Sequence, residues 1–172
     1  MPTSTVRMTG PLDPREGWAA TRCSIARAMN VVGTRSAFLL LREAFYGTTR
    51  FDDFAERVGI SQPVAAARLR ELVRDGLLER EPYQEPGRRT RMQYRLTEKG
   101  AELFPALVAL MQWGDRWLGR SGVELRHRDC GAPARAELRC GRGHQLSVDD
   151  LDLVARSAGA GRGPSPVKSD NG

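Results

Sequence analysis

From Ser24 to Val32 apolar side chains recur at Ile25, Ala28, Met29 and Val32, the spacing of one helix face, and Gly33 ends the run. Thr34 is placed to cap the next segment, a strongly apolar stretch closed by Gly47 whose length favours a buried helix over a strand. Phe51, Phe54, Ala55 and Val58 share one face of a short third helix broken by Gly59. Almost at once Ser61 can cap a fourth, with Pro63 tolerated in its first turn, Ala65, Leu69, Leu72 and Val73 as its apolar stripe and Gly76 as its stop. Then the period changes. Residues 77–81 and 92–96 have extended character, and the PYQEPGRRT between them holds two prolines and a glycine, so a β-hairpin is predicted. Thr97 is expected to cap a long amphipathic helix carrying Leu103, Phe104, Leu107, Leu110, Met111, Trp113, Trp117 and Leu118. These exceed one narrow stripe, so a second face is expected to be buried against the core or a partner chain.

The organisation that follows is a flexible lead over residues 1–17, one folded domain over 18–120, a small appendage over 121–158 and a disordered tail rich in Gly, Pro and Ser over 159–172. A chain of 172 residues has room for one such domain with extensions. No apolar run reaches the length of a membrane span and the first residues lack a signal-peptide core, so a cytoplasmic protein with no membrane partner is expected. There is no Gly-rich phosphate loop, no nucleophile elbow and no paired His-Glu metalloprotease motif. The acidic residues are spread along amphipathic helices, where ion pairing accounts for them, and neither an enzyme nor a required cofactor is expected.

Helix, tight turn, helix, hairpin, long helix is the order of a winged helix-turn-helix: a mainly α fold with a small β-hairpin, a three-helix core, a wing and a long dimerisation helix. The charge agrees with a polyanionic partner. Of the net charge of +6, half falls on residues 61–97, which carry 8 basic and 5 acidic side chains. With Ala65, Leu69 and Leu72 turned to the core, Pro63, Ala67, Arg70 and Arg74 face outward, flanked by Gln62, Ala66 and Arg68. Gln and Arg near a helix start can form paired hydrogen bonds to adenine and guanine, and Arg88, Arg89 and Arg91 at the hairpin tip suit phosphate or a narrow minor groove. Ser61, Gln62, Arg68 and Arg70 are therefore the major-groove candidates, and Arg50 and Arg57 the backbone-positioning ones.

The ordered segments CSIARAMNVVG, FLLLREAFYG, RFDDFAERVGI, RLRELVRDGLLERE, PYQEPGRR, YRLTEKG and ALMQW resemble the HxlR-type winged-helix transcriptional regulators, over roughly residues 23–117. The resemblance implies a homodimer that binds double-stranded DNA at an inverted-repeat operator, most simply as a repressor. Arg50 matches the family's Arg-Phe pair at the start of the first motif helix, where an arginine can hold phosphate, and Arg68 matches the arginine of its recognition helix. Relatives usually carry a basic residue and a tryptophan where this chain has residues 34–37, TRSA. From another class, the rival reading is a protein-interaction module that has lost sequence-specific DNA binding.

Cys23 sits where many such regulators have a cysteine at the start of the first core helix, in some a redox or electrophile switch. A thiol at a helix N-terminus beside Arg22 and Arg27 is placed for thiolate chemistry, although a small packed thiol is the simpler reading. A small-molecule effector pocket lined by Phe38, Phe45, Trp113 and Trp117 competes with plain apolar packing. In the appendage, His127, Cys130, Cys140 and His144 form His-x2-Cys and Cys-x3-His pairs nine residues apart. Three readings stand for them: a tetrahedral zinc site, a degenerate ribbon in which Gly143 replaces the last cysteine, and a Cys130–Cys140 disulfide, which a reducing cytosol disfavours.

Overall fold

The computed structural model describes residues 4–12, 23–84, 86, 87 and 89–155. In chain order it contains β1 (Arg7–Met8), α1 (Ser24–Val32), α2 (Arg35–Phe45), α3 (Phe51–Val58), α4 (Gln62–Arg74), β2 (Leu78–Tyr83), β3 (Arg91–Leu96), α5 (Glu98–Ala101), α6 (Phe104–Trp117) and β4 (Asp152–Leu153). They fall into two compact units, one spanning residues 20–137 and one assembled from residues 1–19 and 138–172. Arg88 and the proposed tail over 159–172 lie outside the described residues, as do 1–3 and 13–17 of the lead.

In the larger unit α2 packs against α3, α4 and α6. Thr34 caps α2 as its position predicts, its Oγ1 accepting from the Ala37 N–H at 3.2 Å. Leu40, Leu41, Phe54, Leu69, Leu72 and Leu78 are the large side chains sealed almost completely from water, and together they are the centre of the core. Each fully buried Leu or Phe contributes about 1.5–3 kcal/mol relative to an exposed one. Two left-handed glycines make the sharp exits: Gly59 (φ 68°) ends α3 and Gly76 (φ 72°) ends α4. After Gly76 the Leu77 N–H returns to the Leu72 carbonyl at 2.8 Å, which turns the chain directly into β2.

The antiparallel β2–β3 hairpin pairs Leu78 with Leu96 and Tyr83 with Arg91, so both strands run further toward the tip than their apolar residues indicate. Continuation comes from main-chain pairing, which the polar tip residues supply as well as apolar ones. The predicted single helix from Thr97 is two helices. Thr97 does cap α5, accepting from the Gly100 N–H at 3.0 Å. α6 restarts with Pro105 in its first turn. Proline has no N–H to give to residue 101, and its ring crowds that carbonyl, so the first helix ends before it.

Residues 121–137 belong to this unit rather than standing apart from it. Gln112 of α6 donates its side-chain N–H to the Ala134 carbonyl at 2.6 Å, and its Oε1 accepts from the Ala136 N–H at 3.0 Å. That side-chain amide pairs with the passing backbone as a neighbouring strand would.

The smaller unit includes residues 4–12 of the lead, of which Arg7–Met8 form β1. β1 pairs in parallel with β4, Arg7 opposite Asp152, and the two side chains form a two-pronged ion pair at 2.6 and 2.8 Å. The guanidinium bond holds the Asp152 carboxyl below the usual carboxylate range. The partner lies 145 residues along the chain, so no local periodicity could announce it.

Gly100 is where the hairpin and α5 meet most closely. A Cβ there would stand 2.1 Å from the Leu77 carbonyl oxygen, a backbone atom that cannot swing aside. Gly100→Ala is expected to cost about 1–3 kcal/mol of stability; chemical denaturation followed by circular dichroism should show a lower midpoint, and an unchanged midpoint would refute the close approach.

Candidate nucleic-acid interface

Burial of one stripe of α4 fixes what the helix shows to solvent. Ala65, Leu69 and Leu72 are 0 to 1% exposed. A helix turns 100° per residue, so Pro63, Ala67, Arg70 and Arg74 emerge on the other side, exposed except for the half-buried Ala67, while Ala66 and Arg68 sit half-buried on the flanks and Gln62, nearer the buried stripe, is exposed at the helix start. Ser61 occupies the position before the helix in extended conformation, as expected of a cap, but its hydroxyl makes no capping bond. The Ser61 side chain therefore leaves the first-turn N–H groups without a capping partner from itself.

The charged groups are held in different ways. Arg68 Nη1 reaches Glu71 Oε2 at 2.5 Å, three residues along the same face. Arg74 pairs with Asp75 at 3.0 Å, which raises its already high pKa. Arg70 is exposed, as are Arg89 and Arg91 on the hairpin. Arg95, on the same strand as Arg91, is tied to Glu81 across the ladder. The hairpin thus keeps one arginine paired near its base while Arg89 and Arg91 stand at the far end.

Arg50 lies immediately before α3, and its guanidinium carbon sits 5.2 Å from the centre of the Tyr83 ring on β2. This is a cation–π contact between the helix-turn-helix and the wing. Two further contacts reinforce that join: the Tyr94 N–H donates to the Thr49 carbonyl at 2.8 Å, and the Tyr94 ring meets Phe54 edge-on at 6.0 Å. Arg57 is exposed but tethered at its tip. It donates to Thr48 Oγ1 at 3.2 Å, and that hydroxyl donates to the buried carboxylate of Glu43 at 3.3 Å. Glu43 is only 6% exposed and also accepts two bonds from Arg42. A buried carboxylate is tolerated only when it is satisfied in this way.

Tyr83, Glu43, Thr48 and Glu71 are participants that sequence reasoning missed. Only Glu71 left a signal, the i, i+3 spacing to Arg68; Tyr83 lies 33 residues from Arg50 in the sequence, on a strand whose end the apolar pattern does not mark.

Cys23 stands at the start of α1, half-buried, and Arg27 in the next turn donates to Ser24 Oγ at 3.1 Å. Phe38 and Phe45 pack on the core, Phe45 against Phe104 at 4.9 Å, whereas Trp113 and Trp117 are 54% and 64% exposed. The four residues of the expected effector pocket are thus divided between the core and the surface.

Each Cys/His pair of the appendage closes a tight turn. The Cys130 N–H lies 3.4 Å from His127 Nδ1, and the Cys140 N–H donates to the His144 carbonyl at 3.0 Å. The first pair belongs to the larger unit and the second to the smaller. Among the described residues no three His, Cys, Asp or Glu side chains gather into a group able to hold a metal. Cys130 and Cys140 are free thiols, not a disulfide.

A three-helix core presenting one helix face beside an arginine-tipped hairpin defines a winged helix-turn-helix transcription regulator. Residues 31–122 match the family model described as HxlR-like helix-turn-helix, and the chain belongs to that family. It is 47% identical over 120 residues to Rv3095 of Mycobacterium tuberculosis, named an uncharacterized HTH-type transcriptional regulator, covering 68% of this chain and 75% of that one. Among solved structures it is similar to PA1607, described as a candidate transcription factor, at 38% identity with a TM-score of 0.71 over 79% of this chain and 96% of the other. PA1374 from Pseudomonas aeruginosa, described in the same terms, matches at 33% identity and a TM-score of 0.56 over 79% and 94%. Among the described residues no helix is long and apolar enough to cross a membrane.

Proposed function

We propose that the chain is a sequence-specific repressor that binds an inverted-repeat operator as a homodimer. One observation carries the reading: the exposed face of α4, with Arg70 and Arg74 on it and Gln62 exposed at its start, lies on the same unit as a hairpin that lifts Arg89 and Arg91 into solvent. In this reading α4 enters the major groove, Ser61, Gln62, Arg68 and Arg70 contact bases or adjacent phosphates, and the wing runs along the backbone. Arg50, braced by Tyr83, positions on phosphate, and Arg57 supports the turn from behind through Thr48.

Two uncovered apolar stripes support a second copy as partner. On α1, Ile25 and Met29 are 72% and 49% exposed; on α6, Leu110, Trp113 and Trp117 recur on one face, each more than half exposed. Monomeric surfaces seldom leave such rows in water. Two copies joined there would offer two α4 helices, which a palindromic site requires. Blocking polymerase access at such a site gives repression. Cys23, beside the α1 stripe, is then placed to convert thiol chemistry into a change of dimer geometry.

Charge reversal at Arg88 and Arg89 is expected to weaken binding to all duplexes and to flatten the slope of log affinity against log salt by about one for each phosphate no longer neutralised. Arg70→Ala should in addition relax base preference at one position of each half-site. Fluorescence anisotropy across a salt series measures both, and wild-type binding no tighter to promoter duplexes than to random DNA would favour a protein-interaction module instead. Trp113→Glu is expected to convert the dimer to monomer in sedimentation velocity and to lower operator affinity with it; a dimer that persists would remove α6 from the interface. Alkylation of Cys23 is expected to change operator affinity, and an unchanged titration would leave the thiol a packing residue.

A further inference from the structure

We propose that Val64 reads the C5 methyl group of a thymine in the major groove, so that operator choice rests on an apolar contact as well as on arginine. The proposal rests on the reading that α4 is the helix that enters the groove.

Val64 is in the first turn of α4, the part of a recognition helix that reaches base edges. It is 43% exposed, while Ala65 beside it is sealed from water. Nothing in the core explains it: the inner stripe is Ala65, Leu69 and Leu72, and Val64 is neither in the core cluster nor among the residues packed against it. A β-branched residue is also a poorer helix former than the alanines that follow it, so in the free protein it adds nothing to the core cluster and little to helix propensity.

Its surroundings say what would cover it. Arg68 and Glu71 follow Val64 at i+4 and i+7, on the same flank of the helix. The 2.5 Å ion pair between them uses one donor of the Arg68 guanidinium and fixes the orientation of the others. The flank is therefore two methyl groups next to a held guanidinium, with Arg70 and Arg74 on the same helix and Arg50, Arg89 and Arg91 on neighbouring elements. An apolar peptide would not answer that much positive charge, whereas DNA does. Thymine alone among the four bases places a methyl group in the major groove, and a guanine at the adjoining position would offer N7 and O6 to the fork.

The test separates this proposal from the reading beneath it. Selection from a random duplex pool first yields the operator; a pool with no preferred duplex would overturn both. Each thymine of the operator is then replaced by uracil, which removes the methyl group alone. At one position of each half-site the wild-type protein is expected to lose about fourfold in affinity, the worth of one buried methyl group. V64A should bind the thymine and uracil duplexes equally well, and V64T, which keeps the side-chain shape but exchanges one methyl for hydroxyl, should narrow the ratio. If no uracil replacement weakens wild-type binding by more than about twofold, or if the loss persists undiminished in V64A, the assignment of Val64 is wrong while operator binding itself stands.

Discussion

The burial of Ala65, Leu69 and Leu72 is the constraint on which the outward surface of α4 depends. These three side chains do not touch the outer face, but they allow α4 only one rotation about its axis. A helix rolled by a single residue would expose a leucine and press Arg70 toward Leu40 and Phe54, at the cost of a desolvated charge as well as reduced apolar burial. Orientation of the outward side chains is thus set from the inside. Because the core is close-packed and shared with α2 and α3, the same constraint fixes the turn between α3 and α4, where Gly59 adopts the left-handed conformation.

The hairpin is located by a second and different set of forces. Its ladder determines its shape but not its direction relative to the helices. Direction comes from the Tyr94 N–H on the Thr49 carbonyl, the edge-on meeting of Tyr94 and Phe54, and the guanidinium of Arg50 over Tyr83. Two of the three involve Thr49 and Arg50 of the short connection between α2 and α3, and the third involves Phe54 in the first turn of α3. That connection is itself braced from below, where Thr48 bridges the buried Glu43 and Arg57. This short segment is therefore the junction through which wing and helix-turn-helix hold a common frame.

What could be read from the sequence divides along physical lines. The first four helices are marked by side chains three and four residues apart, by Thr34 and by glycines at their ends, all local signals, and they lie where the pattern puts them. The outward face of α4 was legible for the same reason. Strand ends were not, because Tyr83 and Arg91 join the ladder through main-chain pairing that is indifferent to side-chain polarity. The break before α6 is marked by Pro105, a local signal that the apolar run on either side of it obscures. Pairings between distant residues left no trace: Arg50 with Tyr83, Thr48 with Glu43 and Arg57, and Arg7 with Asp152. The Cys/His spacing in the appendage reads as candidate metal-ligand pairs, and spacing within each pair says nothing about whether the pairs meet.

The pairing of β1 with β4 bears on the order in which the molecule assembles. Closing a loop of well over a hundred residues costs only slightly more than closing one half as long, since the entropy grows with the logarithm of length. Yet it is repaid here by two residues of ladder and an exposed ion pair, far less than the leucine core returns. Contacts between consecutive helices can form while the two ends of the chain still diffuse independently. The terminal strands are thus the last part of the protein to find each other and the first to separate, an opening on its own free-energy scale that leaves the helical core intact.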